Sequence, residues 1–326
     1  MSASGSARCW VVSDGIAGNR RQAAALAQAM GLDAAVVTIG LRAPWDWFAP
    51  RLAAGAALAL RTLDGAVFAP PWPDLAIGCG RRAAWLLRVL KARSGGRCYT
   101  VQILDPRIDP GHFDIVVAPR HDGLAGPHVI GTIGSIHPVG PAWLAEAHAR
   151  FAALAQWPQP RVAVLIGAGN GAQRIDEAYF RRFVDALAAR HGADGGSFLV
   201  TLSRRTPAAL RPWLRRAFAP FPGLFWDSDA DGENPYAGLL AWADRIVVTP
   251  DSVNMLSEAA ATGVPVATFA PESIGGKFAQ FHEALRRGGW LQSLDEAPRA
   301  PERPLAETGE VAAEVLRRWR AASLST

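Results

Sequence analysis

The chain has 326 residues, half of them apolar and 19% charged, which excludes a disordered chain and leaves room for two domains of ordinary size. The formal charge is +5, yet no Lys- or Arg-rich run and no aromatic-interleaved basic repeat occurs, so no nucleic-acid partner is expected. No segment approaches the ~20 consecutive apolar residues of a membrane-spanning helix.

Of the 34 basic residues only Lys91 and Lys277 are lysines. Arginine meets phosphate with a bidentate fork, so the bias suits an anionic ligand; a GC-rich genome produces the same bias. Cys9, Cys79 and Cys98 are odd in number and widely spaced in apolar runs, which predicts free buried thiols in a reducing compartment and no zinc site. Met1 to Ala7 carries no apolar core of a secretion signal. The expected location is the cytoplasm, with a peripheral place at the inner membrane left open.

The chain opens as a βαβ unit. Arg8–Ser13 is a strand, Asp14 to Asn19 a glycine-bearing polar loop, Gln22–Met30 a helix and Ala34–Ile39 a second strand. The loop carries Asp14, Gly15, Gly18 and Asn19, but not in the GxGxxG spacing of a dinucleotide fold. Trp45–Leu60 carries Trp45, Trp47 and Phe48 between Arg42, Arg51 and Arg61. It is read as a helix pair packed on the sheet, with an apolar patch touching a bilayer as the alternative. Strands follow at Asp74–Gly80, Cys98–Leu104, Phe113–Ala118 and His128–Ile133, with a helix at Ala83–Lys91. Their ends place Asp14, Arg81, Asp105 and His121 on one sheet edge.

After a helix at Ala142–Ala155, Gln156 to Pro160 reads as a linker and the pattern restarts. Strand Arg161–Ile166 ends in a glycine turn with Gly167, Gly169 and Asn170. Strand Ser197–Leu202 ends in Ser203, Arg204, Arg205 and Thr206. Then come a strand at Gly223–Trp226, the acidic loop Asp227 to Asn234 and a helix at Tyr236–Ala243. Asp227, Asp229 and Asp231 have a spacing that could hold a divalent cation, but acidic loops after strands are ordinary turn chemistry, and no metal is expected.

The stretch from Arg245 to Val266 reads as strand, turn, helix and strand. Pro250 ends the strand Ile246–Val248, Asp251 or Ser252 caps a helix beginning at Val253, and Gly263 stops it. Its opening turn offers backbone N–H groups and the positive end of a helix dipole to a phosphate. Glu258, two turns in, could accept from a ribose diol. The alternative is a buried βαβ unit with an ordinary Asp cap. A loop from Ser273 to Lys277 and a helix at Phe278–Arg287 follow, and Val311–Ala322 is a terminal amphipathic helix.

The expected fold class is α/β: two doubly wound parallel-sheet domains facing a cleft, at 1–157 and 158–300, with a C-terminal tail and helix at 301–326. Gly167, Gly169, Asn170, Ser203, Arg204, Arg205, Thr206, Asp251, Ser252, Glu258 and Lys277 together describe a nucleotide-diphosphate pocket without a metal or other cofactor.

The pattern Asp251-Ser-…-Glu258-Ala-…-Thr262-Gly-Val-Pro265 resembles the nucleotide-sugar motif of GT-B glycosyltransferases. Over most of its length the chain resembles a bacterial member of the mitochondrial-fission "elongated mitochondria" family. The likeness runs from Ser13-Asp-Gly-…-Asn19-…-Gln22 through Ser203-Arg-Arg-Thr-Pro207 to Val248-Thr-Pro-Asp-Ser-Val-Asn-Met-Leu-Ser-Glu258 and Lys277-Phe278. The resemblance implies a GT-B-like fold and, for plant members, a role in organelle division by recruiting a dynamin-like protein.

Two readings follow. The first is a metal-independent glycosyltransferase that moves a sugar from a nucleotide sugar to a lipid or glycan acceptor at the cleft. Asp14 would be its general base, and Gly15, Gly18, Asn19 and Asp105 would lie on the acceptor side. The second is a GT-B-shaped binding or recruitment protein without catalysis.

Overall fold

The computed structural model describes residues 7–63, 67–169, 175–270, 272 and 274–324. Two compact units emerge, Met1–Pro138 with Glu307–Thr326, and Val139–Ala306. Both are built on parallel sheets, the fold class expected.

Among the described residues the first unit carries strands β1 (Cys9–Ser13), β2 (Ala34–Leu41), β3 (Leu60–Thr62), β4 (Leu75–Cys79), β5 (Tyr99–Ile103), β6 (Ile115–Pro119) and β7 (Val129–Thr132), in the order β3-β2-β1-β4-β5-β6-β7. All pairs are parallel except β2 with β3. Period-two alternation supplies both faces of the core. Val11, Ile77, Val101 and Val117 pack with Leu26 and Val315. Val12, Ala76 and Val116 pack with Trp85, Leu86 and Leu90.

The expected helix pair at 45–60 is replaced by two single turns, Trp45–Phe48 and Ala56–Ala59, before the chain turns into antiparallel β3. Cis peptides at Pro44 and Pro50 bracket the first turn. Neither run offers the two or three turns of periodic apolar surface that a longer helix needs.

The expected terminal helix spans Glu307–Ser323 and is an integral layer of the first unit. Its Glu307 carboxylate accepts from the N–H groups of Ile133 (2.7 Å) and Gly134 (2.8 Å), and Thr308 exchanges two hydrogen bonds with the His137 backbone. Val311, Ala312 and Val315 are buried.

The second unit's strands are β8 (Arg161–Ile166), β9 (Ser197–Leu202), β10 (Gly223–Trp226), β11 (Arg245–Val248), β12 (Val266–Thr268) and β13 (Gln292–Ser293). Their order is β10-β9-β8-β11-β12-β13, parallel throughout. Phe180, Phe183, Leu187, Leu214 and Phe218 cover one face against Val164, Ile166, Val200 and Val247.

The division between units falls at Pro138–Val139, not at 157. Helix Pro141–Arg150 packs against helix Tyr236–Trp242. His148 stacks on Trp242 at 3.6 Å, and the Trp242 indole donates to His148 O at 2.9 Å. Gln156 to Pro160 is likewise no free linker, since Ser197 Oγ donates to Pro158 O at 2.7 Å. Among the described residues no helix is long and apolar enough to cross a membrane.

Candidate functional site

In the second sheet, the chain leaves β8 for β9 on one side, while β11 flanks β8 on the other. This is a topological switch point, where open α/β sheets leave a crevice at the carboxyl ends of their strands. The segments there are Gly167 to Gly169 and Thr249 to Ser252.

They are tied together. Thr249 Oγ1 accepts from Gly167 N and donates to Asp251 Oδ1, each at 2.7 Å. Asp251 Oδ2 accepts from the N–H groups of Ala168 and Gly169, both at 3.0 Å. Thr206 Oγ1 donates to Gly167 O at 2.9 Å, which brings the end of β9 into the same lock. Thr249, Thr206 and Asp251 are all buried.

The N–H groups of residues 168 and 169 hold the Asp251 carboxylate, which ties the glycine turn to the segment Thr249 to Ser252. Of the two expected caps, Asp251 and Ser252, the helix Val253–Ala260 uses Ser252, which accepts from Met255 N at 3.3 Å.

Glu258 is 5% exposed, and Oε2 accepts from the Tyr236 hydroxyl. Ser203 Oγ accepts from Arg205 N at 3.2 Å, and the side chains of Arg204 and Arg205 are exposed. Arg211 holds this loop from beneath. It donates to the carbonyls of Ser203, Arg204 and Thr206 and pairs with Asp227. Lys277 is exposed in the first turn of helix Gly276–Arg287, where Glu283 bonds Arg287 at 2.7 Å. Asn170 and Ser273 lie outside the described residues.

Two buried groups stand behind the crevice. His282 Nε2 lies 2.9 Å from Pro250 O; a carbonyl can only accept, so Nε2 carries the proton. Burial pushes this imidazole down to about 4, and it stays neutral at pH 7. Tyr179 donates to Phe269 O at 2.9 Å; burial, then the Asp251 charge, raises its phenol.

In the first unit the matching switch point lies at β1, between β2 and β4. Asp14 Oδ1 accepts from Ile16 N at 3.1 Å, and Gly15 takes φ +86° with its N–H on Ser13 Oγ. The expected loop ends early, because the helix starts at Ala17 and takes in Gly18 and Asn19. Asn19 Oδ1 accepts from the Cys79 thiol at 3.7 Å. Gly80 is required beside it, since a Cβ there would stand 2.6 Å from Asn19 Nδ2. Asp105 accepts from Arg107 N at 2.7 Å. Arg81 turns away from the sheet edge and donates to the carbonyls of Asp46 and Ala49.

The acidic loop is occupied by arginines. Asp227 pairs with Arg211 and Asp231 with Arg215, whose hydrogen bond, with those from the Asp227 and Ser228 N–H groups, outweighs desolvation and lowers the Asp231 carboxyl. Among the described residues no three His, Cys, Asp or Glu side chains gather to hold a metal. Cys9, Cys79 and Cys98 are free and buried, and burial raises each thiol.

Thr249, Arg211 and Tyr236 were not singled out from the sequence. Thr249 had a signal, a hydroxyl two residues before an Asp in a Thr-Pro-Asp turn. Arg211 and Tyr236 had none, because their partners are set by how the elements pack and not by a local motif.

A family model described as mitochondrial fission ELM1 matches residues 17–319. The chain belongs to the mitochondrial fission ELM1 family. The ELM1 protein of Arabidopsis thaliana is 31% identical over 277 residues, 75% of this chain and 64% of its own length. An uncharacterized Rickettsia prowazekii protein is 29% identical over 232 residues, 61% of this chain and 65% of its own. The chain thus spans just under two thirds of the length of each of these two relatives. Among solved structures, the UDP-GlcNAc 2-epimerase of Methanocaldococcus jannaschii superposes with a TM-score of 0.52 at 11% identity, over 95% of this chain and 99% of its own. That likeness concerns the fold.

Proposed function

We propose that this ELM1-family chain is a glycosyltransferase that moves a sugar from a nucleotide-diphosphate donor to a lipid or glycan acceptor. The observation that carries the reading is the lock at the second unit's switch point. It joins the ends of β8, β9 and β11 through Thr249 and Asp251 and sets the Ser252-capped helix N-terminus beside a buried carboxylate, Glu258. A crevice with a fixed floor holds its donors in place before the ligand arrives, which is what stabilises a leaving diphosphate.

In this proposal Ser252 and the helix N-terminus take one phosphate, and Arg204, Arg205 and Lys277 neutralise the rest. Gly167, Gly169, Asn170, Ser203 and Thr206 line the turn ends, and the ribose diol joins or replaces the Tyr236 hydroxyl at Glu258. The proposal calls on no metal for that neutralisation, and Asp227 and Asp231 serve Arg211 and Arg215. Gly15, Gly18, Asn19 and Asp105 belong to the acceptor-binding side. Asp14 removes the proton of the acceptor hydroxyl as its oxygen bonds the anomeric carbon and the nucleoside diphosphate departs.

A thermal-shift screen tests this. The archaeal epimerase acts, by its name, on UDP-GlcNAc, so uridine nucleotides come first. A ligand at ~100 times its dissociation constant adds ~2.7 kcal/mol of stability. A shift with one nucleotide sugar and its diphosphate supports a donor site. No shift with any nucleotide removes it and leaves a recruitment protein.

A further inference from the structure

Helix Arg81–Arg93 of the first unit uses four side chains to hold one surface segment. Arg81 donates to Asp46 O (2.9 Å) and Ala49 O (3.0 Å), and Arg82 grips the Asp46 carboxylate at two points. The Trp85 indole donates to Leu52 O, and Arg88 to Pro50 O. Within the segment, Trp45 donates to Ala54 O at 2.7 Å and lies over Gly55. The backbone from 45 to 55 is therefore fixed.

The side chains it presents are not packed. Trp47 is 73% exposed, Phe48 58% and Leu58 70%. Trp47 and Phe48 are neighbours on that fixed backbone, and large apolar side chains exposed side by side mark an interaction surface. Arg42, Arg51 and Arg61 beside them in the chain are exposed, and the one carboxylate within the segment, Asp46, is neutralised by Arg82. An adjoining groove of about 480 Å³ is lined by Ala53, Ala56, Arg88, Lys91, Arg93 and His112.

We propose that residues 45–59 dock the first unit on an anionic phospholipid surface, with Trp47, Phe48 and Leu58 entering the headgroup layer and the arginines meeting lipid phosphates. Aromatic and leucine tips flanked by arginine suit an interface whose charge is negative and whose interior is apolar. The proposal is independent of the donor chemistry, and failure of nucleotide binding leaves it standing.

The test is flotation of the full chain with phosphatidylcholine vesicles, with and without phosphatidylglycerol, at low salt. The protein floats with the anionic vesicles, and added salt weakens the association. Trp47→Ser/Phe48→Ser lowers partition by about tenfold or more at an unchanged melting temperature, because the lost apolar burial is worth at least one decade in affinity. Val36→Ser, at an exposed strand position outside the segment, floats like wild type. Three results would each overturn the proposal: wild type that stays at the bottom of the gradient, equal partition onto neutral vesicles, or a double variant that floats like wild type. Wild type that ignores vesicles but forms a dimer lost in the double variant would assign the surface to a second copy instead.

Discussion

Gly167 and Asp251 share a space that only one side chain can fill. A methyl group on Gly167 would overlap both oxygens of the Asp251 carboxylate, which already accepts from Ala168 N, Gly169 N and Thr249 Oγ1. The glycine is needed for space, and the aspartate for joining two strand ends.

Gly167→Ala is expected to destabilise the protein by roughly 1–3 kcal/mol through overpacking. Asp251→Ala leaves buried N–H groups without an acceptor, at about 1.5–3 kcal/mol for a lost charged hydrogen bond. In the double variant the clash is gone, so the two costs should sum to less than their separate values. Urea midpoints of the four proteins measure this. Strict additivity would mean that the two positions do not share one space.

His282 gives stability a pH dependence of known sign. Its folded value, about 4, lies below its ordinary 6.5, so the unfolded chain binds the extra proton first. Stability is full above 6.5, falls as pH drops from 6.5 to 4, and loses on the order of 3 kcal/mol there from this group alone. His282→Gln keeps a donor for Pro250 O and should flatten that part of the profile. Parallel wild-type and variant curves between pH 4 and 6.5 would place the titration elsewhere.

Asp14→Asn keeps the turn at Ile16 N but cannot accept a proton from an acceptor. If Asp14 is the general base, turnover falls ~10²–10⁴-fold with nucleotide affinity unchanged. A variant that transfers at the wild-type rate would assign Asp14 to the turn alone.

Much of the fold was legible because parallel strands leave a strong trace. Val11, Ile77 and Val117 lie in short apolar runs ended by glycine, proline or polar residues, and each became a strand of the first sheet. Short elements that depend on distant partners left little trace. β3 exists because Leu60–Thr62 finds the edge of β2, and helix Pro141–Arg150 joins the second unit because His148 meets Trp242. At the site, residue types were readable and their partners were not. The sequence allows either Asp251 or Ser252 as the cap; Ser252 fills that place, and the Asp251 carboxylate goes to Ala168 and Gly169. Nothing local announces that Tyr236 reaches Glu258 across 22 residues.

Glu258 is where the donor reading is most exposed to test. Calorimetric titration of wild type and Glu258→Gln with UDP and UDP-sugars asks whether the buried carboxylate serves a ribose or only Tyr236. A charged hydrogen bond contributes about 1.5–3 kcal/mol, so the account predicts that wild type binds and that the variant binds roughly ten- to a hundredfold more weakly. Equal dissociation constants in the two proteins, with a change only in melting temperature, would contradict it.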